Sequence, residues 1–93
     1  VELTAQLPHG ADVPQTILQL KAALKNIQHV AASPAPDVEI LSFNLAGPLL
    51  AVRPYTHNAT YWAVYFATND LIRDTMIKAG MPVPEQHYTI RNS

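Results

Sequence analysis

From Val1 to Leu7 the chain alternates Val1, Leu3, Ala5 and Leu7 with Glu2, Thr4 and Gln6, and a period of two with one polar side predicts a half-buried strand. Pro8-His9-Gly10 breaks the run, and Asp12 is placed to cap a following helix. Pro14 falls in the first helical turn, where a missing N–H costs nothing. Val13, Ile17, Leu20, Leu24 and Ile27 then recur three and four residues apart, which is one apolar stripe on a helix. Lys21, Lys25 and His29 follow in its second half, where positive charge suits the negative end of the helix dipole. Residues 31–37 (AASPAPD) form a turn-rich connector. A second strand is expected over residues 38–45, with alternation that slips near Leu41 and so suggests a bulge. Ala46-Gly47-Pro48 is expected to turn the chain into a third strand over residues 49–53, which Pro54 ends.

Asn58 or Thr60 is the expected cap of a long helix reaching Ala79, with Gly80 just past its end. At about 100° per residue, Tyr61, Val64, Tyr65, Thr68, Leu71 and Ile72 share a face, which Thr75, Met76 and Ala79 continue. Asp70, Asp74 and Lys78 lie opposite. Trp62, Phe66 and Ile77 form a shoulder flanking Arg73, outside the stripe that packing on one sheet requires. The spacer Pro82-Val83-Pro84 and a short alternating run, His87 to Arg91, follow. The order β-α-β-β-α-β predicts an α+β, ferredoxin-like sandwich with both helices on one face of the sheet and the last strand held away from the body. The expected divisions are a domain over residues 1–80, a proline spacer over 81–86 and a terminal strand over 87–93.

Composition narrows the function. Only 14% of the 93 residues are charged while 48% are hydrophobic, a small surface-charge quota that points to apolar area covered by another molecule. Six Lys and Arg balance seven Asp and Glu, which leaves no electrostatic footprint for nucleic acid or an anionic membrane surface. With no cysteine, disulfide frameworks and Cys-based zinc sites are excluded. The longest apolar run, residues 61–67, is far shorter than the roughly 20 residues of a membrane-spanning helix. No signal-peptide pattern opens the chain, and a first residue already inside a strand-like run suggests a piece of a longer polypeptide.

Candidate chemistry is sparse. His9, His29, His57 and His87 are scattered with no pair one helical turn apart, so metal binding is not expected. Asp70 and Asp74 are four residues apart, but Lys78 and Arg73 make that row a solvated charged face. The three glycines are isolated turn residues, not a phosphate loop. Ser33, Ser42 and Ser93 lack a neighbouring histidine or a nucleophile elbow. Asn58-Ala59-Thr60 matches a glycosylation acceptor, but that pattern is short and common, and a helix start is the favoured reading of the same residues. A stacking platform on Tyr61, Trp62, Tyr65 and Phe66 has no basic groove beside it in the sequence. The expectation is therefore a non-enzymatic module, with no small-molecule cofactor, no metal and no nucleic-acid partner.

The stretch VRPYTHNATYWAVYF, then a helix, then AGMPVPEQ resembles the end of a subunit of the small-conductance mechanosensitive channel (MscS-like) family. The carriers are Val52-Arg53 closing a hairpin strand, the aromatic helix start Tyr61-Trp62 and Val64-Tyr65-Phe66, Ala79-Gly80-Met81, Pro84 and the run Tyr88-Thr89-Ile90. Two departures stand out: Glu85 and Gln86 follow Pro84 where an aromatic residue and a second proline are usual, and Pro54 stands where a strand residue is common. The resemblance implies a homoheptameric channel that releases ions and small solutes under membrane tension. Its membrane-spanning helices would lie upstream of Val1 in the inner membrane. The present domain would form the wall of a cage on the cytoplasmic side. Its implied subunit contacts are Trp62, Phe66 and Ile77 with Tyr88, Thr89 and Ile90, the last three in a strand shared among subunits. The alternative for the same element order is a regulatory small-ligand-binding module that forms dimers.

Overall fold

The buried positions of the first strand, β1 (Leu3–Gln6), are Leu3 and Ala5, and Leu7 just beyond it is wholly buried while Thr4 faces water. The computed structural model describes residues 2–81. After β1 come α1 (Val13–Leu24), β2 (Asp37–Asn44), β3 (Gly47–Arg53), a 3-10 turn over Asn58–Thr60 and α2 (Tyr61–Lys78). The three strands form one antiparallel sheet in the order β1-β3-β2, so the third strand in sequence lies in the middle. This is an α+β domain with a three-stranded antiparallel sheet and two helices. Leu3 and Val38 flank Val52, and Ala5 and Ile40 flank Leu50, which sets one face of the sheet toward the helices. On that face Leu20 and Leu24 from α1, and Ile72 and Met76 from α2, complete the core. Helix α1 packs over β2 and α2 over β1, with the helices touching each other. The expected terminal strand, Tyr88, Thr89 and Ile90 included, lies outside the described residues.

The local chemistry of α1 follows the sequence at its start and departs at its end. The Asp12 carboxylate accepts from the Gln15 N–H at 3.1 Å, and a proline occupies the first turn. Thr16, which the apolar stripe omits, is buried because its hydroxyl donates to the Asp12 carbonyl at 2.9 Å and so enters the core already bonded. The helix stops at Leu24, earlier than the stripe suggests. Asn26 and Ile27 donate to the carbonyls of Ala23 and Leu24, a tighter i−3 pattern that ends the α-helix while Ile27 still packs on the core. Only Lys21 is therefore in the last turn; His29 lies beyond it in a left-handed conformation, φ 74°.

The hairpin is tighter than the expected Ala46-Gly47-Pro48 turn. Asn44 pairs directly with Gly47, leaving Leu45 and Ala46 as a two-residue connection. The Asn44 side-chain oxygen accepts from Ala46 N–H (2.9 Å) and Gly47 N–H (3.1 Å), fixing the turn, and the strand restarts at Gly47 two residues before the expected position. Gly47, at φ 138°, lies so close to β1 that an added Cβ would sit 2.8 Å from the Pro8 carbonyl carbon, and nearer still to the Leu7 oxygen. The expected bulge is present: the register slips between Ile40 and Ser42, leaving Leu41 unpaired.

Helix α2 begins without the expected cap. The Asn58–Thr60 turn leads into it, and the Thr60 hydroxyl donates to the His57 carbonyl (3.2 Å) and bonds the Thr56 hydroxyl, instead of holding an α2 N–H. Its far end closes as expected. Gly80 at φ 74° donates to Ile77 and Met81 donates to Met76, the paired bonds of a Schellman motif. Val64, Thr68, Ile72 and Met76 are buried, while Ala79, expected on the same face, is exposed at the C-cap.

Candidate interaction surface

A helix packed on one sheet buries one stripe, and α2 carries two. Tyr65 and Leu71 border the buried stripe and pack on the core. The shoulder stays in water: Trp62 is 63% and Phe66 60% exposed, with Ile77 half exposed. These residues sit on rigid helix, and their rings are ordered by their neighbours. Trp62 meets Tyr61 (5.1 Å between centroids) and Tyr65 (5.4 Å) edge to face, and stacks on Phe66 at 6.0 Å. Tyr65 also meets Phe66 at 90° and 5.6 Å. Because Tyr65 is held by the core, the exposed pair is pre-set in orientation, and covering it would freeze few rotamers.

A second bare apolar surface was not singled out by the sequence. At the far end of β2, Phe43 is 71% and Leu45 99% exposed, with Ile40 and Leu41 about half exposed. Ile40 and Phe43 pair with Leu50 and Pro48 on the helix side of the sheet, but α1 leaves them uncovered at the edge. Read as a sequence, FNL and IL look like ordinary core positions. Only the strand order shows that β2 is an outer strand with no neighbour beyond it among the described residues. The tip is braced from β1: the Asn44 amide donates to Gln6 at 2.7 Å, the Gln6 amide donates to Pro48 O at 3.1 Å, and His9 Nε2–H donates to the Leu45 carbonyl at 2.6 Å.

The opposite face of the sheet holds a charge cluster. Arg53, at the end of the central strand, is bonded to Glu2 (2.7 Å) beside β1 and to Asp37 (3.2 Å) and Glu39 (3.1 Å) of β2. One guanidinium thus ties all three strands. The hydrogen bond to Glu2 is the main reason its pKa is raised above the ordinary arginine value, with partial desolvation opposing it. The five N–H groups of arginine allow this three-way contact, which lysine could not reproduce in a plane.

The remaining sequence candidates do not converge. Among the described residues, no group of three or more His, Asp or Glu side chains is arranged to hold a metal ion. His57 precedes the 3-10 turn, and Asp70, Arg73 and Asp74 are exposed on the outer side of α2. Among the described residues no helix is long and apolar enough to cross a membrane. Tyr88, Thr89 and Ile90 lie outside the described residues. No protein-family model matches the chain, and no curated protein does.

Proposed function

We propose that this domain is the cytoplasmic cage wall of a homoheptameric mechanosensitive ion channel, with a ferredoxin-like sandwich as its fold. The observation that carries the reading is the shoulder of Trp62, Phe66 and Ile77, left bare on a helix whose other stripe fills the core. A monomer gains nothing from rigid, ordered aromatics in water, whereas a subunit contact does. The β-α-β-β-α order is compatible with the split βαβ arrangement, in which a fourth strand would lie beside β1 or join other subunits. The motifs Val52-Arg53, Tyr61-Trp62 and Ala79-Gly80-Met81 support the family assignment, and the first gains a physical role, since Arg53 ties the three strands.

In this reading, tension acts on inner-membrane helices of the same chain and favours the state that occupies more membrane area. The cage on the cytoplasmic side strains the ions and small solutes that approach the pore. With seven acidic and six basic residues in the chain, it biases ion sign weakly. The domain binds other copies of itself and needs no cofactor.

The test is electrical. Membrane patches holding the full-length protein are put under graded suction, and stepwise currents that rise with tension are expected. Protein present in the patch with no tension-evoked current would refute the proposal. A dimer that binds a small ligand in place of conducting would favour the regulatory module.

A further inference from the structure

We propose that the α2 shoulder of one copy docks on the β2–β3 hairpin tip of the next copy, so that the ring is built from one repeated head-to-tail contact. This rests on the assembly proposed above and names the two surfaces that meet. The two bare patches lie on opposite flanks. Helix α2 packs over β1 at one edge of the sheet, and the hairpin patch is on β2 at the other edge. Two unlike surfaces on opposite flanks make a heterologous contact, which closes into a ring when the rotation between copies allows. A two-fold dimer through either patch would leave the other in water.

Area supports the pairing. A buried aromatic side chain covers about 150–250 Å², and Leu or Ile about 120 Å² at the usual area coefficient. On the observed exposures the α2 shoulder and the hairpin tip offer roughly 350 Å² each. Together they supply about 700 Å², most of the roughly 900 Å² of apolar area in a standard interface.

The chain has no cysteine, so introduced thiols report cleanly. In the full-length protein, with any other cysteine replaced by serine, Asn69→Cys and Ala46→Cys border the two patches without removing an apolar contact. Both positions are exposed, so folding is not at risk. Native mass is measured first, and a short bismaleimide is then added. The double variant is expected to give a ladder of linked subunits up to the full ring, and each single variant none. A ring-sized mass with no ladder overturns the docking but leaves the assembly standing, as does a linked dimer from either single variant. A monomer or dimer mass overturns both.

Discussion

Replacing Gly47 by alanine tests the tightest approach in the fold. At φ 138° the backbone is in a region L side chains rarely adopt, and the new Cβ meets the Leu7–Pro8–His9 backbone, with the Pro8 carbon at 2.8 Å and His9 N at 3.0 Å. Strain of this kind costs about 1–3 kcal/mol. Backbone cannot rotate aside, so relief requires β1 and the hairpin to separate, weakening the Leu7 N–H to Pro48 O bond of 2.9 Å at about 1 kcal/mol. The sum is about 3 kcal/mol. Gly10 supplies the control, since it also has positive φ (82°) but nothing lies within 4 Å of an added Cβ. Gly10→Ala should cost only the left-handed penalty, about 1 kcal/mol. At about 4–8 °C per kcal/mol for a domain of this size, Gly47→Ala should lower the thermal midpoint by about 12–24 °C and Gly10→Ala by about 4–8 °C. Far-UV circular dichroism melts of the 93-residue protein measure both. Coincident midpoints would refute the close packing of the hairpin against β1.

Other substitutions probe separate parts of the account. Thr68 is wholly buried on α2 with no hydrogen-bond partner for its hydroxyl among the described residues, so Thr68→Val, which keeps the shape, should raise unfolding stability by about 1 kcal/mol in urea titrations. A loss would show that the hydroxyl is bonded after all. Asp12→Ala removes the α1 cap and should cost about 1 kcal/mol, whereas Thr60→Ala, which caps nothing by its side chain, should cost less. Arg53→Gln should destabilise the domain at low salt and make its stability less sensitive to NaCl, because the lost contacts with Glu2, Asp37 and Glu39 are solvent-facing. Folding raises the Arg53 pKa, so its contribution is complete below the unfolded arginine value and is lost only as pH rises through the folded one. Its share should therefore stay constant from neutral to mildly alkaline pH, checked by comparing wild type and variant across that range. The double change Trp62→Ala, Phe66→Ala should leave the domain's own midpoint nearly unmoved, within about 0.5 kcal/mol, while weakening the full-length assembly; an unchanged assembly in native mass measurements rules the shoulder out as an interface.

Periodicity made the elements legible, since it depends on which face is buried, and one face is buried here. It located β1, the Leu41 bulge, the Asp12 cap and the Gly80 helix stop, each set by residues near in sequence. It also separated the α2 shoulder from the core stripe, because about 100° per residue is enough to do so. What it missed depends on specific side-chain bonds and on strand order, which a period does not encode. Asn44 pulled the hairpin turn forward through bonds to Ala46 and Gly47, and Thr60 turned back to His57 in place of capping α2. The hairpin patch was hidden because Ile40 and Phe43 have the residue types of a core, and exposure comes from β2 lying at the edge. Arg53 could be quoted as part of a motif but not assigned its three carboxylate partners, which come from segments 14 to 51 residues away.

The claim beneath all of this is that the bare aromatic shoulder exists because copies of the chain meet there. The mass of the full-length protein, extracted in mild detergent and kept native, tests it most directly. Seven subunits per particle is the predicted result; a particle of one or two subunits would contradict it.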